Sequence, residues 1–185
     1  MRMFQALPAY FGGKRRLLGT IFKDLPLPDQ APTFVDAFLG GGSVSLYAKA
    51  RGYRAVCNDV AERSHIVGKA LIENSHVKLS QEDLVRFSQP VKEQGYAEEN
   101  LSPDVFPPIH ARFLDVALRR VGGVRGPAAD LGRLLVIKHA LRLRPMGNFG
   151  AKTIMHQAAA GQWEEMNENY VRDLVRRGLP RHPIR

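Results

Sequence analysis

Thr33-Phe34-Val35-Asp36-Ala37-Phe38-Leu39-Gly40-Gly41-Gly42-Ser43-Val44 is the stretch on which the fold turns. Thr33 to Phe38 is a short apolar run rich in β-formers, which predicts a buried strand. Leu39 to Ser43 predicts a turn, and Val44 to Arg51 a helix closed by Gly52. Downstream, Arg54 to Asn58 predicts a second strand ending at Asp59, and Ala61 to Glu73 a further helix. Strand, glycine turn, helix, strand, acid, helix is the opening of a doubly wound α/β sheet.

The turn and the acid also suggest chemistry. Glycines between a strand and a helix permit positive φ and let a ligand approach backbone N–H groups closely. An acid about twenty residues on, at the end of the next strand, can accept hydrogen bonds from ribose hydroxyls. The bland reading is a tight structural turn with Asp59 as a helix cap. A phosphate-binding P-loop fits worse, because no Gly-Lys-Ser/Thr follows the turn. The dinucleotide pattern is incomplete, since its third glycine falls on Ser43 or Ser45.

Upstream, Leu17, Leu18, Ile21, Phe22 and Leu25 recur at helical spacing, which predicts a helix over 13–25, stopped by Pro26 and Pro28. Pro8, Gly12 and Gly13 interrupt any apolar leader, and no apolar run approaches the roughly 18 residues needed to span a bilayer. A cytoplasmic protein without a membrane partner is the expectation. Cys57 is the only cysteine, so neither an internal disulfide nor a cysteine-based metal site is expected. Its apolar setting, Ala55-Val56-Cys57, predicts a buried, inert thiol.

The chain of 185 residues carries a formal net charge of +9, which favours polyanionic partners, nucleic acid first. An anionic membrane surface or simple solubility are the alternatives. Residues 80–143 show mostly helical periodicity, broken near Gly95, at Ser102-Pro103 and at Gly122-Gly123. Trp163 to Arg177 predicts a final helix. Between Ala111 and Lys152 there are nine basic residues against two acids, Asp115 and Asp130. Such clustering suits phosphate contacts, and Arg119, Arg120, Arg125, Lys138, Arg142, Arg144, Asn148 and Lys152 are the DNA-binding candidates. Lys138 and Arg142 are expected to share a helix face. A solvated basic surface is the alternative. Leu131, Leu134, Leu135, Ile137 and Leu141 are expected to be core.

Three segments in order resemble the Dam-type DNA adenine N6-methyltransferases. Tyr10-Phe11-Gly12-Gly13-Lys14 is similar to that family's aromatic, spacer, Gly-Gly-Lys opening. Phe34 to Val44 is similar to its Val-Glu-Pro-Phe-x-Gly-x-Gly-Ser-Val motif, with Asp36 replacing the commoner Glu and Ala37 replacing Pro. Cys57-Asn58-Asp59 stands where the family has its short strand ending in an acid. The resemblance covers about the first 75 residues, and Gly147-Asn148-Phe149-Gly150 looks like a degenerate form of a later family segment. It implies a Rossmann-like S-adenosylmethionine (SAM)-dependent methyltransferase sheet, α/β in class, with a helical target-recognition insertion. SAM is the implied cofactor and DNA the implied partner, in a restriction-modification setting. Tyr10 and Lys14 would contact SAM, Lys14 at the methionine carboxylate or through a supporting hydrogen bond. Asp36 would lie near the methionine amino group. Gly40 and Gly42 would floor the pocket, and Asp59 would hold the ribose. Gly13, Phe38 and Ser43 complete the implied set.

The family's catalytic motif, Asp/Asn/Ser-Pro-Pro-aromatic, is not found. The only Pro-Pro is Pro107-Pro108, between Phe106 and Ile109, and it predicts a turn that begins a helix. The expected division is a SAM-binding part over 1–79, a helical DNA-recognition region over 80–152, and a return to the core over 153–185 that stops before the motif is due. The sheet is therefore expected to be incomplete, with an unpaired edge; a fragment, a truncated gene or a split enzyme with a second chain supplying the catalytic half would each explain this. A non-catalytic DNA- or SAM-binding remnant is the alternative. A Rossmann-like small-molecule methyltransferase would leave the basic helical region unexplained.

Overall fold

A computed structural model describes residues 2–89 and 91–143. The expectations for Arg144, Asn148, Lys152, the 147–150 segment and the helix over 163–177 lie outside the described residues, as does the side chain of Arg142.

Among the described residues two parallel strands form the sheet: β1 (Thr33–Asp36) and β2 (Arg54–Cys57), paired in step from Thr33↔Arg54 to Asp36↔Cys57. The pairing runs past both strand ends. Arg54 N–H donates to Pro32 O at 2.7 Å, Asn58 N–H to Asp36 O at 2.9 Å, and Leu39 N–H to Asn58 O at 2.9 Å. Parallel neighbours need a crossover, and helix α2 (Ser43–Ala50) supplies it, packed against both strands. Side chains alternate across the pleat. Phe34, Ala55 and Cys57 turn toward the core, while Val35 and Val56 stand on the other face, 67% and 44% exposed. Parallel sheets are ordinarily covered on both faces, so this valine face is unusually open.

The predicted helix over 13–25 is much shorter than its apolar spacing suggests. A 3-10 turn (Arg15–Leu17) leads into α1 (Leu18–Ile21), and the chain leaves the helix at Phe22. Leu18 and Phe22 are buried, but Leu17 and Leu25 are exposed. The pattern thus has packing partners for only one turn, and Gly19 and Thr20 add little intrinsic helix preference. Phe22 seats itself among aromatics, stacked on Phe34 at 5.2 Å between ring centroids and edge-on to Tyr47 at 4.9 Å. Tyr53 joins this cluster and donates its hydroxyl to Pro26 O.

After β2, α3 (Glu62–Val67) continues into a π-helical segment (Gly68–Glu73), so the helix predicted over 61–73 exists with a changed hydrogen-bond step. Its carbonyl end is capped from outside. Lys49 Nζ, on α2, donates to Leu71 O, Ile72 O and Asn74 O at 2.9, 2.8 and 2.7 Å. Burial pushes the Lys49 pKa down, and the three carbonyls satisfy the ammonium's three donors.

The remaining described elements are helical: a 3-10 segment (Arg2–Ala6), α4 (Gln81–Ser88), α5 (Tyr96–Asn100), α6 (Pro108–Gly122) and α7 (Pro127–Leu143). Ser80 and Asp83 close a reciprocal capping box at the start of α4. Pro107 caps α6 and Pro108 is its first residue, as the sequence predicts. The main core does not break near residue 80. Leu39, Leu46, Val67 and Leu71 share one cluster with Leu84, Phe87, Val121, Leu131, Leu134 and Leu135. Ile137 and Leu141, expected in the core, are only half-buried. A second cluster around Ala111, Leu114 and Val136 joins α5, α6 and α7. Beside it His110 and His139 are buried, their rings 5.5 Å apart. No helix among the described residues is long and apolar enough to cross a membrane.

Candidate cofactor pocket and basic helical surface

The pocket is assembled at the carboxyl ends of the two strands, where open α/β sheets place ligands. Gly40 and Gly42 have φ of 53° and 78°, the left-handed conformation that glycine adopts without strain. Gly42 caps α2, and a Cβ there would come within 2.7 Å of Val67. A Cβ on Gly41 would come within 2.6 Å of the Tyr10 Cβ, and one on Gly40 would meet the same ring at 3.4 Å. The aromatic residue of the first motif therefore lies directly against the glycine turn of the second.

Both acids are anchored. Asp36 accepts Ser45 Oγ–H at 2.7 Å and Phe38 N–H at 3.3 Å, so the end of β1 is tied to the first turn of α2. Ser45 is fully buried. Asp59 accepts Ala61 N–H at 2.9 Å through one oxygen and Gly40 N–H at 2.7 Å through the other. These two bonds, Ala61 first, hold its carboxyl below the usual carboxylate range. The Val60 N–H and the Ser64 hydroxyl add smaller contributions in the same direction. Lys14 Nζ donates to Gly12 O at 2.9 Å and braces its own glycine turn, while Gly13 sits beside Tyr10 O. Phe38 is 87% exposed at the end of β1, whereas Ser43 is buried.

The structure thus brings both Tyr10 and Asp59 against Gly40, while Asp36 is held separately, by Ser45 on α2. Three other residues at the pocket escaped the sequence reading. Arg63 has its guanidinium 4.8 Å from the centroid of the Tyr10 ring. Ser45 was visible only as an ambiguous glycine position. Val60, fully exposed beside Asp59, had the signal of an apolar residue immediately after the acid. Cys57 is half-buried rather than buried, because it ends β2 at the pocket rim. Burial and then the Asp36 charge push its thiol pKa up, which keeps it protonated and poorly nucleophilic.

The basic residues of the helical region are engaged with neighbours. Arg119 pairs with Glu93 at 2.6 Å, and Arg112 with Glu98 at 3.1 Å. Arg120 Nε donates to Gln89 O at 3.2 Å. Arg133 pairs with Asp130, one turn earlier on α7. Lys138 Nζ donates to Gln5 O at 2.8 Å and ties α7 to the N-terminal segment. Arg125 is exposed in the turn between α6 and α7. Arg119, Arg120 and Arg125 thus lie at one end of the α6–α7 hairpin, and Lys138 lies three turns further along α7.

Residues 10–111 match the D12 class N6 adenine-specific DNA methyltransferases, and the chain belongs to that family. Members of the family use SAM as methyl donor. In particular, the chain is similar to the type II methyltransferase M2.HphI of Haemophilus parahaemolyticus, 29% identical over 160 residues. That alignment takes in 86% of this chain and 44% of the relative, so the chain spans less than half the relative's length. No solved structure matches the chain significantly.

Proposed function

We propose that this chain is the SAM-binding and DNA-contacting part of an N6-adenine DNA methyltransferase with a Rossmann-like core. The observation that carries the reading is the Gly40 N–H bond to Asp59, which joins the glycine turn to the strand-end acid. The cradle suits SAM: three glycines keep side-chain atoms off the turn, an ionised acid offers acceptors, and no phosphate-binding lysine follows. Asp59 holds the ribose hydroxyls, while Asp36 and Lys14 meet the charged ends of the methionine moiety. Phe38, Val60 and Tyr10 supply apolar surface for the purine, and Gly13, Gly40, Gly42 and Ser43 shape the backbone around it. When bound, SAM supplies an electrophilic methyl group for transfer to an exocyclic amine.

Residues 1–79 are read as the SAM-binding part and 80–152 as the DNA-recognition region with its basic α6–α7 hairpin; the expected return to the core over 153–185 lies outside the described residues. A polar-Pro-Pro-aromatic segment outside these 185 residues would complete the site by holding the adenine amine. The reading places the protein in the cytoplasm, beside its DNA.

Calorimetric titration of SAM into the chain tests this. Saturable binding is expected, weakened about tenfold or more by Asp59→Ala, the worth of one charge-assisted hydrogen bond. Failure of the folded chain to bind SAM would overturn the reading.

A further inference from the structure

We infer that Arg63 is a positioning residue for the pocket, clamping Tyr10 over the glycine turn; this rests on the SAM reading above. Tyr10 stands on residues 8–14, a stretch without helix or strand. Such a stretch has no ladder of hydrogen bonds to fix a side chain, yet the Tyr10 ring lies within van der Waals reach of Gly40 and Gly41. Arg63 supplies a hold from another element. Its guanidinium sits 4.8 Å from the ring centroid, within the range at which a cation is drawn to an aromatic face. Arg63 is half-buried in the first turn of α3, and that turn is itself fixed by Asp59 through Ala61 N–H. One short segment, 59–63, therefore anchors both the acid that would hold the ribose and the aromatic that closes over the turn. Arg63 itself need not touch SAM; it acts through the ring.

The test uses the whole chain, with SAM affinity read by calorimetry and the thermal midpoint recorded for every variant. Arg63→Ala is expected to weaken SAM about three- to fivefold, the range of a partly exposed cation–π contact. Arg63→Lys should recover most of this and Arg63→Met should not, since both keep an aliphatic stem but only lysine keeps the charge. In a Tyr10→Ala background, Arg63→Ala should cost nothing further, with midpoints unchanged throughout. An equal loss in both backgrounds, or equal behaviour of the Lys and Met variants, would overturn the clamp. If the parent chain binds SAM and Arg63→Ala matches it, the clamp alone fails. If the parent chain is folded and binds no SAM, the pocket reading fails and takes the clamp with it.

Discussion

The carboxylate of Asp59 accepts the backbone N–H of Gly40 at 2.7 Å, so the acid that ends one strand holds the turn that follows the other. Asp59→Asn keeps the size of the group and removes its charge. SAM affinity is expected to fall about tenfold, with a smaller loss of thermal stability. Calorimetry on the parent and variant chains checks this.

The same carboxylate gives a pH dependence of definite sign. Its pKa in the folded chain is depressed by the Ala61 and Gly40 N–H groups, and that of Asp83 by the Ser80 N–H. Groups of this kind contribute stability that is fully present above the unfolded carboxyl pKa of about 3.9 and is lost as pH falls through the folded value. Denaturant midpoints should therefore hold from neutrality to about pH 5 and decline below about pH 4. Asp59→Asn and Asp83→Asn should each flatten that decline.

Gly42→Ala places a methyl group in a left-handed conformation and within 2.7 Å of Val67. A loss of about 1–3 kcal/mol is expected in chemical denaturation. Gly41→Ala meets Tyr10 instead, and should lower SAM affinity more than it lowers stability.

Lys49→Met removes three hydrogen bonds to backbone carbonyls and leaves those carbonyls without their donor. Destabilisation of about 2–3 kcal/mol is expected, measured by urea unfolding. Lys49→Arg should restore part of it, because a planar guanidinium cannot match three donors converging from one ammonium.

On the basic hairpin, Arg125→Ala is expected to weaken binding to duplex DNA and to reduce the salt slope by about 1. Arg119→Ala should do less, since Arg119 must first exchange its exposed pairing with Glu93 for a phosphate. Binding isotherms at several salt concentrations separate the two.

The sequence made the first half of the site legible because its signals are local. Strand, glycine turn and acid each announce themselves within a few residues, and the short link between β1 and β2 leaves little freedom in how they meet. The helix over 13–25 was overread because apolar spacing says which residues could face a core, not whether a core reaches them. Leu17 and Leu25 show the difference. Arg63 and Lys49 were illegible for the opposite reason. Each acts on a residue more than twenty positions away, through contacts that exist only once α2 and α3 are packed. The nine basic residues between 111 and 152 likewise gave no hint that Glu93 and Glu98, outside that stretch, would stand beside Arg119 and Arg112.

The in-step pairing of β1 and β2 also bears on how the chain is made. A slip of β2 by one residue against β1 would put Val56 in place of Ala55 on the core side, and would part Gly40 from Asp59. A small molecule that needs both groups can recognise only correctly zipped strands. On the proposed reading, SAM bound at both groups would favour correctly paired copies over slipped ones by mass action.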